Sequence, residues 1–235
     1  MNNLIQLDYL DKNVRAVRER ISAAAENNKR SVDGILLLAA VKYASAEEID
    51  YVHKVLGICD VGENRVNTLL EHYEKTDNEG LRYHFIGTLQ KNKVKYIYDK
   101  ICLLHSLDSL PLAQEIEKRC ARDGRSLDCL IEINIANEAD KGGVSPSELL
   151  AFTDALSEYP HVNVKGFMTM APAGCTQEEY RRYFGDAVAL MRTAWTDVLH
   201  REGEPFISMG MSGSLEAAIE CGSTCVRVGS DIFRH

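Results

Sequence analysis

The sequence predicts an α/β fold, a single (β/α)8 TIM-like barrel with an extra N-terminal helix. Eight short apolar runs have the length of β-strands, and a helical stretch lies between each run and the next. The runs are apolar on both faces, as buried parallel strands require. Alternating strands and helices give parallel strands joined by right-handed crossovers. Eight such units favour a closed barrel over an open doubly wound sheet, which usually has fewer strands.

The first half of the chain contributes a long helix and four strand–helix units. Apolar residues recur at three- and four-residue spacing from Leu7 to Ala24, the pattern of one buried helix face, and Asn2 or Asn3 is the expected cap. The predicted strands lie at 35–41, 57–62, 82–87 and 101–106, and the predicted helices begin at Ala46, run over about 64–77, pass through Val94 and Ile97, and run from Leu110 to Arg122.

The second half continues the alternation almost to the end of the chain. The predicted strands lie at 126–135, 162–168, 205–210 and 223–229, and the predicted helices run from Pro146, in the N1 position, to Glu158, from about Thr176 to His200, and from Ser214 to Glu220. Only six residues follow Gly229, which leaves little room for an eighth outer helix. We hypothesise that the N-terminal helix, over residues 1–30, packs in that place. The whole chain, 1–235, is predicted to be one domain without a linker.

Composition excludes several classes of protein. The chain has 45% hydrophobic and 26% charged residues, which excludes disorder of the whole chain. The net charge is −8 and there is no basic run, which argues against a nucleic acid partner. No apolar stretch reaches the ~18 residues of a spanning helix, and no secretory signal is visible. The seven cysteines are scattered without a CxxC pair, as expected of reduced thiols, so we expect a cytoplasmic protein with no membrane partner.

Polar residues at the ends of the predicted strands are the candidate site, because ligands of a parallel barrel bind at the carboxyl ends of its strands. Lys42 directly follows the first apolar run. It is either a lysine that extends into solvent or a partly desolvated amine, ready to form a Schiff base with an aldehyde.

The loops after strands seven and eight are a second part of the candidate site. Met211 to Ser214 and Gly229-Ser230 offer glycines, hydroxyls and a helix start, which favour a phosphate; ordinary loop and cap chemistry is the alternative. Arg227, at the end of strand eight, either faces the ring of a ligand or forms a structural ion pair. Together with Lys42, these loops indicate a phosphate-bearing aldehyde, a description that pyridoxal 5′-phosphate fits.

Long motifs occur in order along the chain, and they are GENRVN (62–67), HFIGTLQKNKVK (84–95), HSLDS (105–109), INIANEADKGGVSP (133–146), GFMTMAP (166–172), SMGMSGSLEAAIECGST (208–224) and VRVGSDIF (226–233). From about Leu36 to Phe233 they resemble the pyridoxal phosphate homeostasis protein family. That family has the barrel of the N-terminal domain of alanine racemase, which agrees with the strand count.

The resemblance implies pyridoxal 5′-phosphate as the cofactor and implies which residues bind it. Those cofactor-binding residues are Lys42, Asn64, His84, Met209, Ser212, Arg227, Gly229 and Ser230. Lys42 in AAVKYAS would carry the Schiff base, and Ser212 with Gly229 and Ser230 would hold the phosphate, helped by the backbone amides of residues 211–213.

The remaining implied residues surround the ring. Arg227 would approach the pyridine nitrogen, and Asn64 and His84 would line the cofactor face. Met209 would pack near the ring, although a plain core position is an equal alternative.

The sequence favours a cofactor-binding protein without catalytic turnover and without a metal. A racemase needs two acid/base groups on opposite faces of the substrate carbon. In alanine racemase one of them is a tyrosine supplied through a second domain and a partner subunit, whereas this sequence ends at His235, soon after strand eight. We therefore expect a monomer that takes part in intracellular pyridoxal 5′-phosphate homeostasis and hands the cofactor to apo-enzymes.

Three alternatives remain open. The main one is a small single-domain amino-acid racemase that depends on pyridoxal phosphate, the second is a Schiff-base aldolase or other phosphosugar barrel, and the third is a scaffold without a ligand. The sequence also leaves two features without a role. These are Gln90, Asn92 and Lys93, which read as a solvated helix start, and the loop around Lys141, which is a surface turn or a gate.

Overall fold

The computed structural model describes residues 7–138 and 140–235, and its eight parallel strands close into a barrel in sequence order. The strands are β1 (Leu36–Ala40), β2 (Asp60–Glu63), β3 (Arg82–Phe85), β4 (Leu103–Leu107), β5 (Leu127–Ile133), β6 (Val162–Thr169), β7 (Phe206–Ser208) and β8 (Cys225–Val228). Each lies within or next to a predicted apolar run, so the predicted (β/α)8 barrel is confirmed. The barrel closes where Leu36 to Ala39 of β1 pair with Cys225 to Val228 of β8.

Helices follow the strands around the outside of the barrel. In the described residues they are α1 (Asp8–Asn27), α2 (Ala46–Lys54), α3 (Val66–Lys75), α4 (Val94–Ile97), α5 (Leu110–Arg122), α6 (Leu149–Ala155), α7 (Gln177–Thr193), α8 (Leu215–Glu220) and α9 (Ser230–Phe233). The predicted bounds of α5 are confirmed. Helix α6 begins later than predicted, because Pro146 lies in a turn in which Ser145 accepts a hydrogen bond from the amide of Glu148.

Local sequence signals explain where two of the longer helices start. Ser45 and Glu48 form a capping box at α2, and Thr176 and Glu179 form one at α7. At α1 the helix begins at Asp8, and the predicted caps Asn2 and Asn3 lie outside the described residues.

Helix α1 packs against α8 and α9, so it fills the place in the outer layer that the short end of the chain leaves open. Its buried face consists of Leu10, Val14, Val17, Ile21, Ala24 and Ala25. The side chain of Asn13 also donates hydrogen bonds to the carbonyls of Ile232, at 3.0 Å, and Arg234, at 2.9 Å. These contacts agree with the hypothesis about the packing of the N-terminal helix over the part of it that the structure describes.

Two apolar layers lie on either side of the sheet. The larger one joins the outward-facing strand residues to the helices, and the smaller one, Leu103 with Leu130 and Met168, fills part of the barrel interior. Because successive strand residues face apolar layers on both sides of the sheet, polar and apolar residues do not alternate along the strands.

The seven cysteines are free thiols in the part of the chain that the structure describes, and Cys120, Cys129 and Cys225 are buried. Burial raises the pKa of Cys225 to about 12, so this thiol stays protonated and behaves as a small apolar side chain. Across residues 7–138 and 140–235, no helix combines the length and the apolar character needed to cross a membrane.

Candidate functional site

The loops that carry Lys42, Ser212 and Ser230 are neighbours at the carboxyl ends of β1, β7 and β8. Strand β8 pairs with both others, through Val228 opposite Ala39 and Cys225 opposite Ser208. A Cβ atom on Gly229 would lie 2.8 Å from the carbonyl oxygen of Ala40. Only glycine allows this approach, which brings the loop after β8 against the strand end that leads to Lys42.

Lys42 lies in a turn after β1 and is exposed. Its Nζ atom is 4.8 Å from the centre of the Tyr43 ring, and that tyrosine is itself 82% exposed. Of the two alternatives for Lys42, this position favours the lysine that extends into solvent, because β1 ends at Ala40 and the lysine has already left the buried strand. What the structure provides is an accessible primary amine at the barrel mouth.

The two serine loops face one another. The hydroxyl of Ser230 donates a hydrogen bond to the hydroxyl of Ser212 at 3.0 Å. Within the described residues, the amides of Ser212, Gly213 and Ser230 donate no hydrogen bond, and a Cβ on Gly213 would meet nothing within 4 Å. The loops therefore present two hydroxyls and several amide donors to open space, which is the donor set that binds a phosphate group.

Arg227 lies inside the barrel and is only 4% exposed. Its Nη1 donates to the hydroxyl of Ser208 at 2.6 Å, and its Nη2 donates to the carbonyl of Thr169 at 3.2 Å. Burial lowers the pKa of the guanidinium from its usual value, opposed by the charges of Cys225 and Glu132. The side chain is held in one orientation by neutral acceptors.

His84 lies deeper, in a buried chain of polar groups that leads to Arg227. Its Nδ1 is 2.9 Å from Nε2 of His105, and its Nε2 is 2.9 Å from Oδ1 of Asp60. His105 in turn is 2.9 Å from Ser208, the hydrogen-bond partner of Arg227. Both ring nitrogens of His84 are thus engaged inside the barrel, and through His105 and Ser208 the ring is connected to Arg227.

The pKa values of His105 and Asp60, two members of this buried row of polar groups, are shifted by their burial and by their neighbours. Burial, with the charges of His84 and Arg227, lowers the pKa of His105 well below the usual value, so this ring is neutral. Burial alone would raise the pKa of Asp60, but hydrogen bonds from His84 and Arg82 outweigh it and lower the pKa to about 2. This row of hydrogen-bonded polar groups therefore ends at the carboxylate of Asp60, which stays charged.

Met209 and Asn64, the remaining predicted residues, differ in placement. The Met209 side chain is fully buried in the apolar layer between the sheet and the helices, which is the core alternative and not a position beside a ring. Strand β7 places Ser208 towards the interior, so its neighbour Met209 points outward. Asn64 follows β2, and its Oδ1 is buried without a hydrogen-bond partner among the described residues.

Glu132, near the end of β5, is a candidate site residue that was not predicted from the sequence. It is 5% exposed, and its Oε2 has no hydrogen-bond partner in the part of the chain that the structure describes. Burial and the charge of Asp108 raise the pKa of Glu132 to about 7, although Arg227 opposes them. The available signal was an acidic residue inside the apolar run LIEINI, where a buried charge is costly.

The loop after β5 lies over this acid. A Cβ on Gly142 would be 3.5 Å from Oδ2 of Asp108 and 3.9 Å from Oε2 of Glu132. Asn134 donates hydrogen bonds to the carbonyls of Glu138 and Lys141, at 2.8 and 3.3 Å. The exposed Lys141 forms an ion pair with Glu138 at 2.5 Å, as in an ordinary surface turn.

Gln90 and Asn92 are exposed, and residues 91–93 form a 3-10 turn that leads into α4. This placement agrees with a solvated helix start. It brings neither side chain into the polar chain of the barrel.

Comparisons with known proteins agree with this geometry. Residues 5–235 match the family described as alanine racemase, N-terminal domain. The chain is 41% identical over 220 residues to the pyridoxal phosphate homeostasis protein of Aquifex aeolicus (strain VF5), spanning 92% of this chain and 94% of that protein. It is 35% identical over 229 residues to the protein of that name from Escherichia coli (strain K12), spanning 94% of each.

Solved structures extend the comparison. PipY of Synechococcus elongatus PCC7942, in a structure with PLP bound, superposes with a TM-score of 0.80 at 28% identity, covering 92% of this chain and 99% of that one. An unknown protein from Bifidobacterium adolescentis superposes with a TM-score of 0.84 at 28% identity, covering 99% and 98%. Alanine racemase from Corynebacterium glutamicum, at 18% identity and a TM-score of 0.68, shares the fold, and this chain spans 61% of it.

Proposed function

The chain belongs to the pyridoxal phosphate homeostasis protein family, and from that premise we propose that it binds pyridoxal 5′-phosphate reversibly through the Lys42 amine and takes part in the homeostasis of this cofactor. One observation carries the proposal. An accessible amine, two facing serine loops and a buried guanidinium all belong to the neighbouring strands β1, β7 and β8 or to the loops that follow them.

The donor set of these residues fits the cofactor. The hydroxyls of Ser212 and Ser230 and the amides of their loops suit the phosphate, and Gly229 leaves space where a side chain would collide with β1. The aldehyde of the cofactor supplies an electrophile with which a primary amine condenses reversibly. Lys42 is the primary amine at this mouth, and its exposure suits exchange more than tight enclosure.

Arg227 favours storage of the cofactor over catalysis that passes through a carbanion. A guanidinium has only donors, so against a pyridine nitrogen it donates and keeps that nitrogen unprotonated. An unprotonated ring is a weaker electron sink. Ser208 and the carbonyl of Thr169 hold the guanidinium in one orientation, so the effect would persist in the bound state.

A small single-domain racemase is the second candidate, favoured by Glu132. This buried acid with a pKa raised to about 7 is a second ionisable group near the mouth. Incubation of the loaded protein with L-alanine in D2O separates the two candidates. If the protein only stores the cofactor, the α-proton of L-alanine should exchange no faster with the loaded protein than with free cofactor. A racemase predicts faster exchange that is lost in Lys42→Ala and in Glu132→Gln.

The proposal is tested first by spectroscopy of the purified protein with added pyridoxal 5′-phosphate. We expect a band near ~420 nm and, after borohydride reduction, a label on Lys42. Lys42→Arg should abolish both, whereas Lys91→Arg, an exposed matched control, should change neither. The absence of a band, or a label spread over surface lysines, would contradict the proposal and favour a phosphosugar barrel.

We further propose that the protein is a cytoplasmic monomer that hands the cofactor to apo-enzymes. Light scattering should then give one chain, 26.3 kDa. Loaded protein mixed with an apo-enzyme should restore its activity even when a scavenger removes free cofactor. If the scavenger blocks the transfer, delivery takes place through solution.

A further inference from the structure

Arg20, in the middle of α1, contacts both serine loops. Its Nη2 donates to the carbonyl oxygen of Ser212 at 2.7 Å. Its Nε donates to Glu216, in the first turn of α8, at 2.7 Å, and its Nη1 donates to Asp231, in the first turn of α9, at 2.6 Å. One guanidinium therefore joins the N-terminal helix to the segments that follow β7 and β8.

We propose that Arg20 is a positioning residue for the phosphate site, through which α1 sets the affinity of the barrel mouth for a phosphate monoester. The inference rests on the proposed function and adds to it a residue outside the barrel. Two separate effects of Arg20 carry it, one on geometry and one on charge.

The geometric effect is to hold the loops at a fixed separation. The hydroxyls of Ser212 and Ser230 meet at 3.0 Å across the two loops. Arg20 fixes the backbone of Ser212 directly, and it fixes the other loop through the carboxylate of Asp231, next to Ser230. A planar guanidinium with several donors restrains more of the geometry than a single hydrogen bond does.

The charge effect concerns the two carboxylates beside the loops. A phosphate monoester carries about two negative charges at pH 7, so Glu216 and Asp231 repel it. Arg20 stays protonated, since its hydrogen bond with Glu216 raises its pKa, and it places one positive charge between the two acids. The side chain is 33% exposed, so solvent screens part of this effect.

The chain offers a matched control for the loop anchor. Gln177, the first residue of α7, donates from Nε2 to the carbonyl of Gly213 at 3.0 Å. It is exposed and carries no charge, and among the described residues its side chain forms no hydrogen bond with the loop after β8. Gln177→Ala therefore removes one anchor of the same turn without the effects assigned to Arg20.

The test compares the dissociation constants of pyridoxal 5′-phosphate and of pyridoxal, which lacks the phosphate, by absorbance titration. We expect Arg20→Ala to weaken binding of the phosphorylated compound roughly tenfold to a hundredfold and to leave pyridoxal binding unchanged. Arg20→Lys keeps the charge without the planar fork and should recover part of the loss. Gln177→Ala should change neither constant by more than about threefold.

A further variant separates geometry from charge. Glu216→Gln with Asp231→Asn in the Arg20→Ala background removes the repulsion, so it should recover part of the affinity, and the loss that remains is geometric. Inorganic phosphate, followed by its effect on the melting temperature, should stabilise the unmodified protein more than Arg20→Ala. That readout needs no cofactor.

Equal losses for pyridoxal and pyridoxal 5′-phosphate would overturn the inference, because they would show that Arg20 only supports the fold. So would unchanged constants in both Arg20 variants. If the unmodified protein forms the Lys42 adduct but the Arg20 variants give either of these two results, the proposed function stands and the inference about Arg20 fails. If no adduct forms at all, the proposed function fails, and the phosphate melting data still decide on Arg20.

Discussion

The carboxyl group of Glu132 is buried beside Asp108 and Arg227, and one of its oxygens lacks a partner among the described residues. The folded protein therefore favours the protonated acid, since its pKa of about 7 lies above the ordinary value of 4.5. Between these two pH values the unfolded chain has lost the proton that the folded chain retains. The stability that this group contributes is full below pH ~4.5 and is lost as the pH rises through ~7.

We predict that Glu132→Gln removes this pH dependence. From pH 5 to pH 8 the free energy of unfolding of the unmodified protein should fall by about 2 to 3 kcal/mol more than that of the variant, because one pKa unit corresponds to about 1.4 kcal/mol. Urea unfolding at pH 5 and at pH 8 measures this difference. Any effect of the glutamine side chain that does not depend on pH cancels, because each protein is compared with itself at the two pH values. Glu202→Gln, an exposed control, should retain the full dependence. Parallel pH profiles for the protein and Glu132→Gln would contradict the assignment.

Residues at strand ends could be predicted from the sequence, and residues that depend on side-chain direction could not. Lys42, Ser212 and Ser230 follow apolar runs directly, and a parallel barrel brings such positions to one face. Met209, directly after β7, and Glu132, in β5, lie in runs that pack against apolar residues on both sides of the sheet, where no alternation shows which residue faces the interior. Arg20 carries no signal at all, since a charged residue on the polar face of a helix is ordinary.

Among the elements, the longer helices were predicted well, whereas α9, one of the two four-residue helices, was missed. Helix α5 has thirteen residues with clear periodicity, and its predicted bounds are those of the structure. Helix α9 has four residues, too few to show a period, and it depends on its contact with α1. Helices α1 and α9 are therefore one structural unit, although about two hundred residues of chain separate them.

Asn13, like Arg20, links these two helices, and its amide satisfies the carbonyls of Ile232 and Arg234. We predict that Asn13→Ala raises the hydrogen-exchange rates of residues 230–235 and lowers the free energy of unfolding by about 1 kcal/mol. Exchange measured by mass spectrometry on the C-terminal peptide checks the first effect. Lys12→Ala, an exposed neighbour on α1, is the control. Unchanged exchange at the C-terminus would show that α9 holds its place without this link.

For the molecule as a whole, the question is whether α1 belongs to the same cooperative unit as the barrel. Its apolar face, which includes Val17 and Ile21, lies in the core cluster shared by the strands and the helices. The single tryptophan, Trp195, lies after α7 in a segment that packs against α6 and α7, so it reports on another part of the molecule. A contribution of α1 to global stability must therefore appear in the fluorescence of Trp195.

We predict that Ile21→Ala lowers the free energy of unfolding reported by Trp195 by about 2 to 5 kcal/mol, the cost of a cavity at a fully packed position. Ile21 is 3% exposed, whereas Glu19, two residues away, is exposed, and Glu19→Ala should change stability by less than about 0.5 kcal/mol. Urea unfolding followed by fluorescence and by far-ultraviolet circular dichroism should give coincident transitions in both variants. If circular dichroism instead reports an early loss of helix while the Trp195 transition stays in place, α1 unfolds separately. The barrel would then close without its N-terminal helix, and Arg20 would act on the serine loops only while that helix is docked.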